Sequence, residues 1–158
     1  MINARSETAA EKPAFRDALK SRRCLIPADG FYEWKRGDGK KKQPFAIRLK
    51  DGSPFAFAGL WERWEAEDGR PVETCAILTT EANELVKPIH ERMPVILRPE
   101  DYEAWLDPHV GRADLLQPLL IPFEAERLAI FPVSPWVNNA RHEGPRCLER
   151  IEPEPNLF

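Results

Sequence analysis

The chain of 158 residues contains no CxxC pair, and its three cysteines, Cys24, Cys75 and Cys147, are odd in number and widely spaced. That pattern argues against a disulfide framework and against a zinc site, and it points to a reducing compartment. A glycine-rich phosphate loop, an HExxH helix and a GxSxG turn are also absent, which removes the commonest nucleotide-binding, zincin and serine-hydrolase readings. No apolar run approaches the roughly 20 residues of a membrane span, and the polar opening MINARSETAAEK is no signal peptide. The expected location is the cytoplasm, with no membrane partner. Bulk positive charge is lacking too: the formal net charge is -3 and the pI is near 5.7. Nucleic-acid contact would therefore need a local basic patch rather than a whole-protein field. There is no internal repeat, no low-complexity segment and no domain boundary.

What the chain does have is 42% apolar residues, including five Trp and eight Phe, enough to fill the core of one domain over residues 1–158. The stretch CLIPADGFYEWK, residues 24–35, is its least generic part. Asp29-Gly30 signals a turn, and Phe31, Tyr32 and Trp34 make an aromatic strand with Glu33 in its middle. Alternation along a strand sends Glu33 to the face opposite Tyr32 and Trp34. A Glu on a strand is usually solvated. Set in a partly apolar pocket it would instead hold its proton to higher pH, which suits general acid/base work. Periodicity by itself favours the solvated reading.

Residues 1–12 show neither apolar alternation nor a helical stripe and read as a frayed terminus. From Pro13 a short helix is expected, with Phe15, Ala18 and Leu19 on one face and Lys20, Arg22 and Arg23 in its last turn. Runs at 31–34, 44–49, 55–64 and 72–80, joined by glycine-bearing turns, read as an antiparallel meander large enough to curl into a barrel-like sheet. The lysines at 40–42 fit a solvated hairpin tip better than a phosphate contact. Thr80 is expected to cap a short helix over 81–86 that stops at Pro88. Further helices are expected from Pro99 to Asp107 and over 112–120, a strand over 127–133, and an irregular tail that trails off after Glu152.

Between Pro88 and Pro94 stand His90, Glu91 and Arg92, and the two prolines restrict the backbone that carries them. A lone His is more often a surface or capping residue, so this setting only shifts the balance. His142 also has interesting neighbours, His109 falls in a loop, and the cysteines, above all Cys24 and Cys75, read as small buried side chains within strands.

NARSET at 3–8, RRCLIPADGFYEW at 22–34, IHERMPVIL at 89–97 and the VNNARHEGPRCLE tail resemble, in order and spacing, the SOS response-associated peptidase (SRAP) family of abasic-site processing proteins. The resemblance runs over essentially the whole chain. It implies an α+β fold with a barrel-like antiparallel sheet and short flanking helices. The activity it implies is binding of single-stranded DNA and a covalent thiazolidine link to abasic sites, formed by an amino-terminal Cys whose amine and thiol both react. Self-cleavage that frees that Cys gives the family its peptidase name.

The resemblance carries over residue by residue. Glu33 matches the family's catalytic glutamate and His90 its histidine, both for acid/base steps. Asn3 matches the asparagine that positions the abasic sugar, and Arg5 an arginine that contacts the DNA backbone. The implied partner is single-stranded DNA with abasic sites, bound by a monomer with no metal and no cofactor. The family places its Cys several dozen residues before NARSET, whereas here no cysteine precedes Cys24. The expectation is therefore a domain shortened at its amino terminus, with the nucleophile missing. One alternative is a non-catalytic single-stranded DNA binding module, and another is a structural domain with no DNA role.

Overall fold

The structure is a computed structural model that describes residues 1–36 and 42–152. In chain order it contains β1 (Asn3–Arg5), α1 (Arg16–Ser21), β2 (Arg23–Ala28), β3 (Phe31–Arg36), β4 (Lys42–Leu49), β5 (Phe55–Glu65) and β6 (Pro71–Glu81). There follow β7 (Arg92–Pro94), β8 (Ile96–Leu97), α2 (Tyr102–Leu106), α3 (Ala113–Leu116) and β9 (Leu128–Pro132). Lys40, Lys41 and residues 153–155 of the expected trailing segment lie outside the described residues. The fold class is α+β, as expected, and the chain forms two compact units.

The first unit comprises Met1–Ala28, Phe55–Glu81 and Arg92–Phe123. Its sheet has the order β1-β6-β5-β2, with β7 pairing β6 and β8 pairing β5. β5 and β6 form the expected hairpin, but β1 lies parallel to β6, with Ala4 opposite Leu78. This corrects the frayed-terminus reading. The Ile2 carbonyl accepts the Ile77 N–H at 2.9 Å and the Ser6 N–H donates to the Thr79 carbonyl at 2.9 Å, so the backbone is tied down on both sides of β1. One small buried residue, Ala4, with Asn3 and Arg5 exposed around it, is too little apolar signal to announce a strand.

α1, α2 and α3 cover a core of Leu19, Leu60, Leu78, Val95, Trp105 and Leu116. The helix expected from Pro13 starts at Arg16, and those expected from Pro99 and from Arg112 are each part α-helix, part 3-10 helix. Arg23 belongs to β2, not to the last turn of α1, yet its buried guanidinium still caps that helix. It donates to the carbonyls of Leu19 and Lys20 at 2.7 Å each, to that of Trp105 at 2.6 Å, and to that of Asp107. The outer half of β5 and the first residues of β6 are exposed, including Trp64 at 52%.

The second unit comprises Asp29–Pro54, Ala82–Glu91 and Glu124–Phe158. Its antiparallel sheet has the order β3-β4-β9. The expected meander of four consecutive strands is therefore divided: β3 pairs β4, β5 pairs β6, and the outer partner of β4 is β9 from the far end of the chain. Phe45, Ala46, Ile47 and Leu49 of β4 are buried, and so are Leu128 and Val133. A central strand covered on both faces reads as a continuous apolar run, which hides its partners from a pattern search.

The helix expected over 81–86 does not form. Thr80 and Glu81 complete β6 by pairing with Met93 and Arg92, and the sheet claims the residues that would have started the helix. Ala82–Glu91 is instead a loop of turns.

Candidate functional site

Glu33 sits in the second unit, in the middle of β3 and opposite Phe45 of β4. The chain enters β3 through Gly30, where a Cβ would lie 2.9 Å from the Ile47 carbonyl oxygen and 2.8 Å from Cγ of Arg48. Only a residue without a side chain lets the backbone pass so close to β4. The Arg48 guanidinium also donates to the Asp29 carbonyl at 3.0 Å, which fixes the start of the strand. Glu33 is half-buried, and that burial raises its carboxyl pKa above the ordinary value. Two weaker influences pull it back: the charge of His90, and the Trp34 backbone N–H, which donates to the carboxylate.

His90, the second sequence-derived candidate, ends the loop Ala82–Glu91 of the same unit. Its ring is exposed, but its backbone is held: its N–H donates to the Val86 carbonyl at 3.0 Å, and the Ala82 N–H donates to the Glu91 carbonyl at 3.0 Å across the loop base. A carboxyl whose pKa burial raises is a stronger base when ionised than an ordinary surface glutamate, and with an interacting imidazole it forms a pair suited to exchanging protons with a bound molecule.

The other face of β3 is gripped by the tail, a role that sequence reasoning missed. Tyr32 and Trp34 point away from Glu33, with ring centroids 6.3 Å apart. The Tyr32 hydroxyl donates to the Cys147 carbonyl at 3.3 Å, and the Trp34 indole donates to Oδ1 of Asn138 at 2.7 Å. The segment that carries these acceptors is irregular but closely bonded. Its ends meet where the Ser134 N–H donates to the Glu149 carbonyl at 2.9 Å, and Val133 bridges Arg150. Within it the His142 ring stacks on Trp136 at 3.5 Å, and the Arg146 guanidinium covers Trp136 at 4.0 Å. His142 bonds the Trp136 carbonyl through Nδ1 at 2.7 Å and meets Nδ2 of Asn139 through Nε2 at 3.1 Å, which satisfies both nitrogens when the proton sits on Nδ1. The available signal was the pair Asn138-Asn139, since Asn side chains organise local turns.

Asn3 and Arg5 belong to the first unit, on β1, and both side chains are exposed. Just after them Glu7 accepts two hydrogen bonds from Arg92, at 2.6 and 2.9 Å, and this pairing holds the Glu7 carboxyl below its usual range. Arg92 donates as well to the Thr79 carbonyl at 2.6 Å, which fastens the end of β1 to β6. His109, in its loop, bonds its neighbour Asp107.

The cysteines divide. Cys24 is half-buried and its thiol pKa is raised, first by burial and then by the proximity of Cys75. Cys75, expected to be buried, is exposed, because it lies in the part of β6 that extends past the core. Among the described residues no group of three or more His, Cys, Asp or Glu side chains could hold a metal ion, and no helix is long and apolar enough to cross a membrane.

The short helices and two sheets define the class as an α+β protein. The profile of the family described as SOS response associated peptidase (SRAP) matches residues 1–140, and the chain belongs to that family. It is 51% identical over 149 residues to the abasic site processing protein YoqW of Bacillus subtilis, a match that covers 94% of this chain and 66% of that protein. With the abasic site processing protein HMCES of Gallus gallus the identity is 36%, covering 95% of this chain and 50% of the relative. The chain thus spans about two thirds or less of the length of these relatives. Among solved structures, a Bacteroides thetaiotaomicron protein superposes with a TM-score of 0.85 at 34% identity, over 95% of this chain and 66% of the other. A Bordetella bronchiseptica protein gives 0.75 at 35% identity, over 84% and 64%.

Proposed function

We propose that this chain recognises abasic sites in single-stranded DNA and that Glu33 and His90 move the protons of the reaction there. The observation that carries the reading is the raised pKa of the Glu33 carboxyl together with the charge interaction with His90. An abasic sugar is mostly a closed hemiacetal, and its aldehyde appears only when the ring opens. In the proposed step the Glu33 carboxylate takes the proton from the anomeric hydroxyl while His90 donates one to the ring oxygen. The bond between the anomeric carbon and the ring oxygen then breaks and leaves the aldehyde. The aldehyde is then open to an amine, whose attack gives an imine with loss of water, and a thiol on the same reactant can add across the C=N bond to close a ring; Glu33 and His90 would pass the protons of these steps and of their reversal. Arg5 is proposed as a phosphate contact and Asn3 as a hydrogen-bonding contact to the sugar.

A second reading, a binding module without the covalent step, is favoured by the placement of Cys24 and Cys75 inside β2 and β6, where the nitrogen beside each thiol is a peptide N–H and cannot join the thiol in closing a ring on an aldehyde. One experiment separates the two. Single-stranded oligonucleotides with and without one abasic site are titrated with protein, and the complexes are then run on a denaturing gel. Preference for the abasic strand with a heat-stable band supports the covalent reading, and preference without a band supports the binding module. Equal affinity for both strands contradicts both.

A further inference from the structure

We propose that Asn83 is the positioning residue that holds His90 against Glu33, an inference that rests on the acid/base reading of that pair. Asn83 is a polar residue only 7% exposed, in a loop whose other polar side chains face solvent. It opens a relay of hydrogen bonds that ends at the histidine. Its side-chain oxygen accepts the Val86 N–H at 3.0 Å, and its backbone carbonyl accepts the Lys87 N–H at 2.9 Å. Together these close the first turn. The Val86 carbonyl then accepts the N–H groups of both Ile89 and His90, at 2.9 and 3.0 Å, and closes a second turn. Val86 itself is 0% exposed and so anchors the point where the turns meet.

The need for such a device follows from the residues. His90 is exposed, so its backbone is set by the turns that precede it. Pro88 has no N–H and cannot contribute a bond of its own to the second turn. β6 and β7 and the Ala82–Glu91 bond close the loop only at its base; between the base and His90 the chain of bonds runs from the His90 N–H to the Val86 carbonyl and from the Val86 N–H to the side chain of Asn83. Asn is suited to the place because its carboxamide oxygen caps a following N–H as in an Asx turn. Ala at this position leaves the Val86 N–H without that acceptor and frees the first turn.

The test reads the communication between His90 and Glu33 directly, without a substrate. In the parent protein at fixed pH, Glu33→Gln shifts the NMR resonances of the His90 ring. Introduced together with Asn83→Ala, the same change is expected to shift them much less or not at all. Asn83→Asp, which keeps an acceptor in the same place, is expected to restore the response; Asn83→Leu, close to Asn in size and without an acceptor, replaces Asn83→Ala if that variant fails to fold. A merely structural role would lower the melting temperature and leave the response intact. An undiminished response in Asn83→Ala, or no recovery in Asn83→Asp, overturns the proposal. If the ring response behaves as expected while Glu33→Gln leaves the handling of abasic DNA untouched, the positioning role stands and the acid/base reading falls.

Discussion

Glu33 on β3 and His90 at the end of the loop Ala82–Glu91 interact: the histidine's charge offsets part of the burial that raises the glutamate's pKa. A carboxyl raised in this way holds its proton to higher pH when folded than when unfolded. Its contribution to stability is full below the ordinary value of 4.5 and is lost as pH rises through the raised folded value. Glu33→Gln removes this titration. Relative to the parent, the variant should gain stability as pH rises through that window and show no such gain below it. Urea unfolding across the pH series checks this, and a difference that stays flat or runs the other way contradicts the raised pKa.

Glu7 should behave in the opposite sense. Its pKa is lowered chiefly by the hydrogen bonds from Arg92, so the stability it provides is present above the ordinary value of 4.5 and is lost as pH falls through the lowered folded value. Glu7→Gln should flatten that acid limb. The effect should be small, because the Glu7 carboxylate faces solvent, and it should shrink further in high salt.

Arg23 is expected to be the costliest single side chain to lose. Its guanidinium satisfies the carbonyls of Leu19, Lys20, Trp105 and Asp107 inside the first unit. Arg23→Met fills similar space but leaves those acceptors bare, at a cost of roughly 3 kcal/mol or more. Arg23→Lys should recover little, because one ammonium cannot reproduce the planar fork. Chemical denaturation measures both, and a loss of under about 1 kcal/mol in Arg23→Met would show the network to be dispensable.

Gly30→Ala should shift the entry to β3, since the new Cβ would meet the Ile47 carbonyl at 2.9 Å and a backbone atom cannot swing aside. Destabilisation of roughly 1–3 kcal/mol is expected, with a changed environment for Trp34 detectable by fluorescence. A variant as stable as the parent would mean that β3 tolerates the displacement.

The parts of this fold that were legible in the sequence are those in which local signals and tertiary contacts agree. The Asp29-Gly30 turn, the aromatic strand after it and the β5-β6 hairpin carried their own turn chemistry and alternation. Glu33 could be singled out because a carboxylate among rings is unusual in itself. β1 could not, since its strand character comes from pairing with β6, about seventy residues away, and from one buried Ala. The loop before His90 was misread as a helix for the same reason: Thr80 and Glu81 have adequate helix signals, but β7 supplies backbone partners that local propensity does not register. The tail gave no periodic signal at all, because Asn138 and the Cys147 carbonyl act through single hydrogen bonds to Trp34 and Tyr32. Such contacts have no spacing to detect.

The most direct test of the acid/base claim for Glu33 is the rate at which a small alkoxyamine captures the aldehyde of an abasic single-stranded oligonucleotide, with and without saturating protein. Capture waits on opening of the sugar ring, so it reports that step independently of any covalent link to the protein. The parent chain should accelerate capture, and Glu33→Gln should lose roughly 10²-fold or more of the acceleration, the scale of general acid/base help, with affinity for the oligonucleotide unchanged. No acceleration by the parent, or the same acceleration by Glu33→Gln, would contradict the account.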